Sequence, residues 1–372
     1  MGRIKHLVYI LPYLNLGGTE RQALSLIREY QDRARVTLLA PTGRGLPPFL
    51  EQQLDYCEFT AWERNFFKGL RELIAGIKAA QKRQSIDLIH VHGAHELMIP
   101  VRLLFPKLPI VFTVHGYHGA SAEVSYRLAC LFANLWATRV IAVCQTEYDL
   151  LVKFGMNPTK LEMIYNGVPT PILDRSKIDA LATKFDLNLI TQIIIGTAAR
   201  LSEAKGLTYL LQAFARVAIA RPNLRLVIAG TGELEQQLKQ QAQDLGISAQ
   251  TIFAGYVNEL PELMSLFNFF VLPSLQEACS LACAEAMAQQ KAAIGTTIGG
   301  IVEQIADGKT GFLIPPQDVD SLAKKMQYLI DRPELVDEFA RNGRRRYEEL
   351  FTVDRMLIRT EDLYSKLLGT VD

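Results

Sequence analysis

The fold is decided by residues 269–318, FFVLPSLQEACSLACAEAMAQQKAAIGTTIGGIVEQIADGKTGFLIPPQD. Phe269 to Pro273 form a short apolar run that ends in a proline, which is typical of a buried parallel strand. After a turn, the residues from Leu281 to Gln290 are rich in Ala, Glu and Gln, which predicts a helix. Ser280 stands where the N-cap residue of that helix is expected. The stretch therefore predicts one strand, turn and helix of an α/β sheet.

Two carboxylates, Glu277 and Glu285, lie in this stretch. One falls in the turn and the other in the second turn of the helix, so both can face the space above the carboxyl end of the strand. In an open α/β sheet, ligands bind in that space. The free N–H groups at the helix start favour a phosphate, and carboxylates accept hydrogen bonds from hydroxyls. The stretch thus suits a phosphate flanked by polyols, as in a nucleotide sugar.

The rest of the chain repeats the alternation of strand, turn and helix, the pattern of a doubly wound parallel sheet. IKHLVYIL predicts the first strand, PIVFTVH a strand ending at His115, and QIIIGTAAR the first strand of a second domain. The segment PTPILDRSK is typical of a linker, and 372 residues are enough for two cores. We expect domains at 1–168 and 169–353, with AAIGTT as the last clear strand.

Two further strand ends carry residues suited to a phosphate. Arg200 ends the first strand of the second domain, and Lys205 comes just before Gly206 and the next helix. Arg offers a planar fork of donors and Lys a point charge, so together they can offset two phosphate charges. Near the start of the chain, Gly17 and Gly18 open a helix and let the backbone approach a ligand. We expect the two charged residues, Arg200 and Lys205, and the two glycines, Gly17 and Gly18, to line the site.

Three histidines lie on predicted strands of the first domain. His90 and His92 are two residues apart and share one face of their strand, whereas His115 ends another strand, where ligands bind. His115 is therefore a candidate site residue, and His90 is more typical of the core. A metal site built from all three is an alternative, but no carboxylate or cysteine completes it. We expect no metal held by the protein.

Several segments resemble the family 4 retaining glycosyltransferases, also called glycosyl transferases group 1, which have the GT-B fold. PSLQEACSLACAEAMAQQ resembles their E-x7-E motif, ARLSEAKG their phosphate-binding R-L-x-x-x-K-G, and MIYNGV their interdomain segment. GGTE resembles their N-terminal glycine turn, and the segments follow the family's order across nearly the whole chain. The resemblance implies two Rossmann-like domains that face each other across a cleft, with a C-terminal helix, 354–372, packing back on the first domain.

The resemblance also implies roles for single residues. His115 matches a family histidine in a T-x-H-G context that contacts the donor sugar, Glu277 would hold hydroxyls of that sugar, and Glu285 would hold the ribose. His115 and Glu277 are the candidate catalytic residues. Further donor-binding candidates follow Glu277 in the turn and at the helix start: Ala278, Cys279, Ser280 and Leu281. Ala278 stands where the family usually has glycine, which could alter the choice of donor.

In activity, the resemblance implies transfer of a hexose-type sugar, with retention of its anomeric configuration, from a UDP-, GDP- or ADP-sugar. The acceptor would be a saccharide or a lipid-linked intermediate of cell-envelope, exopolysaccharide or glycoconjugate synthesis. No cofactor is expected. Two alternatives stay open: a non-catalytic nucleotide-sugar-binding subunit of a polysaccharide assembly complex, and another GT-B enzyme such as a sugar-nucleotide epimerase.

The net charge of +1 hides an asymmetry. Residues 1–170 carry 19 Lys and Arg against 14 Asp and Glu, a balance of +5, and residues 171–372 carry 21 against 25, a balance of −4. The basic half also contains Trp62, Phe66, Phe67 and Lys68, a stretch that suits the surface of an anionic membrane as well as it suits a core. We expect an acceptor or a membrane on this side, and no nucleic acid.

Cysteines and hydropathy bear on the cellular location. The five cysteines show no metal-ligand spacing, and an odd count without a signal peptide predicts reduced thiols in a cytoplasmic chain. No run approaches the roughly 20 apolar residues that span a bilayer. We expect a cytoplasmic protein, with any membrane contact peripheral and at the inner face.

Overall fold

The structure, a computed structural model, describes residues 4–15, 17–117, 119 and 122–369. The chain forms two compact units. Unit 1 takes the described residues up to Gly167 and those from Val353 onward, and unit 2 takes Val168–Thr352. Both boundaries lie within one residue of those predicted from the sequence. The predicted C-terminal helix therefore belongs to unit 1, although its last predicted residues, 370–372, lie outside the described ones.

Unit 1 is built on a sheet that has seven strands in the described residues, all paired in parallel in the order β3-β2-β1-β4-β5-β6-β7. The strands are β1 (His6–Ile10), β2 (Arg35–Ala40), β3 (Asp55–Glu58), β4 (Leu88–His92), β5 (Ile110–Val114), β6 (Arg139–Ala142) and β7 (Leu161–Met163). The sequence did not reveal β3, a short edge strand whose residues are only half-buried.

Helices cover both faces of this sheet, because alternate strand residues point to opposite sides. Val8 and Ile10 pack under one layer of helices, whereas Leu7 and Tyr9 pack under the other. The first layer is α3 (Phe66–Arg83), α4 (Met98–Leu104), α5 (Ala122–Trp136) and α6 (Gln145–Lys153). The second layer is α1 (Gly18–Tyr30), α2 (Pro47–Leu50) and α15 (Val353–Leu368).

Unit 2 repeats the architecture with six parallel strands among the described residues, in the order β10-β9-β8-β11-β12-β13. They are β8 (Ile193–Ala198), β9 (Leu224–Ala229), β10 (Thr251–Gly255), β11 (Phe269–Leu272), β12 (Ala292–Thr296) and β13 (Gly311–Ile314). The expectation that residues 292–297 form the last strand is wrong, because β13 follows. This four-residue edge strand begins at Gly311, where a Cβ atom would overlap the carbonyl oxygen of Ala293.

The helices of unit 2 are α7 (Arg175–Lys184), α8 (Leu207–Ala218), α9 (Glu235–Asp244), α10 (Leu260–Ser265), α11 (Leu281–Ala288), α12 (Ile301–Gln304), α13 (Val319–Ile330) and α14 (Pro333–Leu350). The predicted helix after Ser280 is α11, which ends before Gln290. Gln290 has a left-handed backbone with a φ of 54°, and such a conformation ends a helix. The fold expected from the sequence, two α/β units that each contain a parallel sheet, is confirmed.

Candidate functional site

The turn between β11 and α11, residues 273–280, forms the centre of the candidate site in unit 2. Two glycines with left-handed backbones hold it from either side: Gly206 has a φ of 62° and Gly299 a φ of 50°. A Cβ atom on Gly206 would overlap the carbonyl oxygen of Pro273, and one on Gly299 would overlap that of Glu277. The turn is therefore pressed against backbone on both sides, and only glycine allows that approach.

The structure brings two of the predicted residues, Lys205 and Glu277, into direct contact. Lys205 Nζ lies 2.6 Å from Glu277 Oε2, and the two side chains are 23% and 11% exposed. Ser274 Oγ also donates to Glu277 Oε2, over 3.3 Å. Lys205 ends a short 3-10 turn, Glu203–Lys205, that follows β8. The pair is thus partly shielded from water, where a charge-assisted hydrogen bond is stronger than on an open surface.

The start of α11 is fixed by side chains and backbone. Ser280 Oγ accepts from the N–H of Cys283 at 3.2 Å, which confirms the predicted N-cap. The buried Gln304 donates from Nε2 to the carbonyl oxygen of Ser280 at 2.7 Å. The N–H of Gly300 donates to the carbonyl oxygen of Ala278 at 2.6 Å. Sequence reasoning missed Gln304, because it lies in another helix with no local pattern to mark it.

The other predicted residues of unit 2 lie around this turn with different exposure. Arg200 is exposed just after β8 and forms no ion pair within the described part of the chain. Glu285 is half-buried in the second turn of α11. Cys279 and Leu281 are each 9% exposed and belong to the packing of the turn. In unit 2, then, the charged candidates are Lys205, Glu277, Arg200 and Glu285.

In unit 1 the predicted glycine turn lies at the start of α1. Gly17 is the N-cap residue and makes no side-chain cap, and Gly18 is the first helical residue. Glu20, in the first turn, is 3% exposed and accepts from the N–H of Asn15 at 2.6 Å through Oε1. A Cβ atom on Gly17 would lie 2.8 Å from the other oxygen of that carboxylate. The small residue at Gly17 therefore makes room for a buried carboxylate.

The three histidines form one stacked row at β4 and the end of β5. The ring centroids of His90 and His92 are 4.1 Å apart, and those of His92 and His115 are 5.5 Å apart, with the rings stacked in both pairs. His92 Nδ1 lies 3.2 Å from His115 Nε2. His90 contacts Tyr364 of α15 through Nδ1 at 2.5 Å and Thr113 through Nε2 at 2.6 Å. The row thus runs from the core to the predicted site residue His115.

Burial keeps these rings neutral. It lowers the pKa of His90 to about 3, with a smaller contribution from the positive charge that His115 would carry. It lowers the pKa of His115 to about 3 and that of His92 well below its usual value. A buried imidazole resists protonation because the charged form loses its hydration. The ring of His115 is therefore uncharged at neutral pH.

The geometry of the described residues does not support a metal site built from the three histidines. The described residues contain no group of three or more His, Cys, Asp or Glu side chains placed to hold a metal ion. In the histidine row, moreover, His90 has both ring nitrogens in hydrogen bonds to hydroxyls.

No helix among the described residues has the length and apolar character needed to cross a membrane.

The chain matches two family descriptions. "Glycosyl transferases group 1" matches residues 182–346, which lie within unit 2, and "Glycosyltransferase Family 4" matches residues 16–171. Together they account for most of the chain and for every predicted site residue. The match of unit 2 includes the turn at Glu277 and the ion pair with Lys205, and the match of unit 1 includes the glycine turn and His115.

Relatives and solved structures agree with this assignment. The chain is 25% identical over 316 residues to UDP-Gal:alpha-D-GlcNAc-diphosphoundecaprenol alpha-1,3-galactosyltransferase of Escherichia coli, covering 81% of this chain and 80% of that protein. It is also 25% identical to the capsular polysaccharide biosynthesis glycosyltransferase CapM of Staphylococcus aureus, covering 81% and 82%. Anabaena HepE, solved in complex with UDP-glucose, has the same fold, with a TM-score of 0.85 at 22% identity over 97% of this chain and 99% of that one. The chain belongs to the group 1 glycosyltransferases of family 4, which have the GT-B fold, and is an enzyme of the transferase class EC 2.4.

Proposed function

We propose that this enzyme transfers a hexose-type sugar from a nucleoside-diphosphate sugar to a saccharide or lipid-linked acceptor in the synthesis of a cell-envelope glycan, exopolysaccharide or glycoconjugate. The contact between Lys205 and Glu277 carries the proposal. It places a cation that suits the diphosphate beside a carboxylate that suits sugar hydroxyls. The relatives named above, which act in undecaprenol-linked and capsular glycan synthesis by their names, support the class of acceptor.

The chemical barrier is the separation of charge as the diphosphate leaves and the sugar becomes cationic. Lys205, the exposed Arg200 and the N–H groups at the start of α11 would stabilise the leaving diphosphate. A fixed turn is an advantage here, because groups that are already oriented need no rearrangement as the charge develops. On donor binding, Lys205 would turn from Glu277 to a phosphate oxygen, and Glu277 would be released to accept from the sugar. Glu285 is assigned to the ribose.

We further propose that the sugar keeps its anomeric configuration, with attack on the face from which the diphosphate leaves. The leaving phosphate would take the acceptor's proton. This agrees with the roles assigned to the two carboxylates, because Glu277 and Glu285 both bind hydroxyls in the proposal and neither is assigned as a nucleophile. Proton NMR of the product formed in the first minutes would give its anomeric configuration, and an inverted product would contradict the proposal.

The donor can be identified with a thermal-shift panel of UDP-, GDP- and ADP-sugars. A donor that binds the folded protein must raise the melting temperature. A donor found in this way is then assayed for release of nucleoside diphosphate with candidate acceptors. Release of the diphosphate excludes a non-catalytic binding subunit. A panel that shifts no melting temperature at saturating concentrations would contradict the assigned site.

We also propose that the reaction needs no divalent ion held by the protein. Arg200, Lys205 and the start of α11 supply the positive charge that a metal would otherwise provide. The test is an assay of purified enzyme in EDTA. Activity is expected to persist, and complete loss restored only by Mg²⁺ or Mn²⁺ would contradict this part of the proposal.

We finally propose weak, reversible contact between unit 1 and the inner face of an anionic membrane. At the start of α3, Phe67 is 81% exposed, Phe66 is exposed beside it, and Lys68 is also exposed. The same layer of helices presents an apolar stripe that the sequence did not reveal: Val124, Leu128, Leu131 and Leu135 of α5 are all exposed. Their spacing of three and four residues places them on one side of the helix.

Basic residues accompany this apolar surface. Lys107 follows α4, Arg127 lies on α5 and Lys153 ends α6, and all three are exposed. A basic residue near an anionic membrane contributes about 1 kcal/mol, and the contribution falls steeply with salt. Co-sedimentation with vesicles that contain anionic lipid, at low and high salt, tests the proposal. Equal absence of binding at both salt concentrations would leave a soluble acceptor as the better assignment.

A further inference from the structure

His92 lies next to His115 and is itself fully buried. Its Nδ1 is 3.2 Å from His115 Nε2. Its Nε2 is buried and has no hydrogen-bond partner within the described part of the chain. One ring nitrogen of His92 therefore shares a hydrogen bond with His115, while the other lies in an environment without partners.

Two arrangements of protons are compatible with this geometry, because both rings are neutral. In the first, His92 donates from Nδ1, its Nε2 is a bare nitrogen, and His115 Nε2 accepts. In the second, His115 donates from Nε2, and His92 must then carry its proton on the buried Nε2. The second arrangement buries an N–H without an acceptor, and among buried backbone groups donors without partners are rarer than acceptors without partners. An unpartnered buried polar group costs about 1–3 kcal/mol.

We propose that His92 is a positioning residue that fixes the tautomer of His115, so that His115 carries its proton on Nδ1 and accepts a hydrogen bond at Nε2. In water, a neutral histidine side chain prefers its proton on Nε2, so the opposite tautomer at His115 is imposed by its neighbour. The ring of His115 then offers an N–H donor with no positive charge. Its meaning for catalysis rests on the proposed function and on the expectation from the family resemblance that His115 contacts the donor sugar.

The rest of the row makes this arrangement rigid. His90 stacks on His92 and is held at both nitrogens by Tyr364 and Thr113. Tyr9 stacks on His92 from β1, with ring centroids 6.2 Å apart. The ring of His92 therefore packs against the rings of both His90 and Tyr9 and has little freedom to turn its Nδ1 away from His115.

The test reads the tautomer directly. The full-length protein is labelled with ¹⁵N in its histidine rings, and ring nitrogen–proton correlations at pH 7 distinguish protonated from bare nitrogens. The His115→Asn variant assigns the His115 signals by their disappearance. We expect a protonated Nδ1 and a bare Nε2 at His115. A proton on Nε2 of His115, or protons on both nitrogens, would overturn the inference, and this readout needs no ligand and no activity.

Two variants of His92 then test the positioning role. His92→Phe keeps a ring in the stack and removes the donor, whereas His92→Asn can place an amide N–H near the former Nδ1. We expect His92→Phe to shift the His115 proton toward Nε2 and to lower kcat/KM for the donor about tenfold, the size of one lost hydrogen bond. His92→Asn is expected to retain the Nδ1 proton and most of the rate.

His6→Phe is the matched control, because His6 is also fully buried but lies at the opposite end of the sheet, against Thr37 and Gln84. Melting temperatures of all variants separate a loss of stability from a loss of positioning. If His92→Phe kept both the Nδ1 proton on His115 and the full rate, His92 would not have the proposed role. If the wild type had the expected tautomer but transferred no sugar, the proposed function would fail while the tautomer assignment would hold.

Discussion

The two units place different chemistry at the same position of the same architecture. At the carboxyl ends of its strands, unit 2 presents charges: Lys205 paired with Glu277, and Arg200 exposed nearby. Unit 1 presents the backbone of Gly17 beside the buried carboxylate of Glu20, and the uncharged ring of His115. Unit 2 therefore holds the cations and carboxylates of the proposed donor site, whereas unit 1 offers an uncharged imidazole.

Acid should give the largest difference in stability between the two units, because all six histidines of the chain lie between residues 6 and 118. The folded-state pKa values of His90, His92 and His115 are lowered by burial, so below pH 6.5 the unfolded chain binds protons that the folded chain does not. Their contribution to stability is complete above pH 6.5 and is lost as the pH falls toward 3.

One carboxyl group acts in the opposite direction. Burial raises the pKa of Glu147 to about 7, so acid stabilises the folded state there between pH 7 and 4.5. Burial also lowers the pKa of His6 and His95, so five histidines oppose one glutamate. We expect the stability of unit 1 to fall by about 1–3 kcal/mol per pH unit below pH 6.5. Hydrogen exchange read by peptide, and corrected for intrinsic rates, should show protection lost first in unit 1. Equal loss in both units would remove the distinction between them.

Lys205→Ala should give the next largest effect, on the charged side of the comparison. The change removes a phosphate ligand and leaves Glu277 without its cation, so we expect nucleoside diphosphate affinity to fall about 30- to 100-fold. Glu285→Ala should weaken affinity less, by about tenfold, since it removes hydrogen bonds to the ribose. The matched control is Lys239→Ala, which removes a half-buried lysine paired with Glu235 within α9. Titration calorimetry measures all three, and unchanged affinity in Lys205→Ala would contradict the site.

Gly299→Ala tests whether the turn at Glu277 depends on close backbone approach. A methyl group there would overlap the carbonyl oxygen of Glu277, whereas Gly308 has a similar left-handed backbone with open space around it. Both substitutions strain the backbone, so their difference isolates the overlap. We expect Gly299→Ala to cost about 1–3 kcal/mol more than Gly308→Ala, and to weaken nucleoside diphosphate binding as well. Equal denaturation midpoints would show that the turn yields easily.

Phe67→Ser is expected to give the smallest effect, on membrane contact. Losing this exposed ring should weaken binding to anionic vesicles by about 1 kcal/mol, or about fivefold. The control is Ile358→Ser, an exposed apolar residue of α15 in the opposite layer of helices. Co-sedimentation at low salt measures both. If the two variants weakened binding equally, the layer formed by α3 to α6 would not be the surface in contact.

Local signals made much of the fold and site predictable. The strand at Phe269, the N-cap at Ser280 and the order of elements depend on residues close in the chain. The contact of Lys205 with Glu277 spans 72 residues, and that of Gln304 with Ser280 spans 24, so spacing within one motif could not show them. On α5, the buried side carries Tyr126, Ala129, Cys130 and Ala133 while the other side carries Val and Leu. Because both sides are apolar, periodicity alone could not tell which one faces water.

The last helix has a consequence for how the protein is made. His90 and Tyr364 are in contact although 274 residues separate them, so the second helical layer of unit 1 is complete only when α15 has left the ribosome. Unit 2 is an insertion whose two ends meet, because Val168 pairs with Thr352 and its N–H donates to Phe351. Folding of that insertion brings the two parts of unit 1 close together and shortens the effective loop that α15 must close. During synthesis, therefore, α15 closes over a β-sheet that was made well before it.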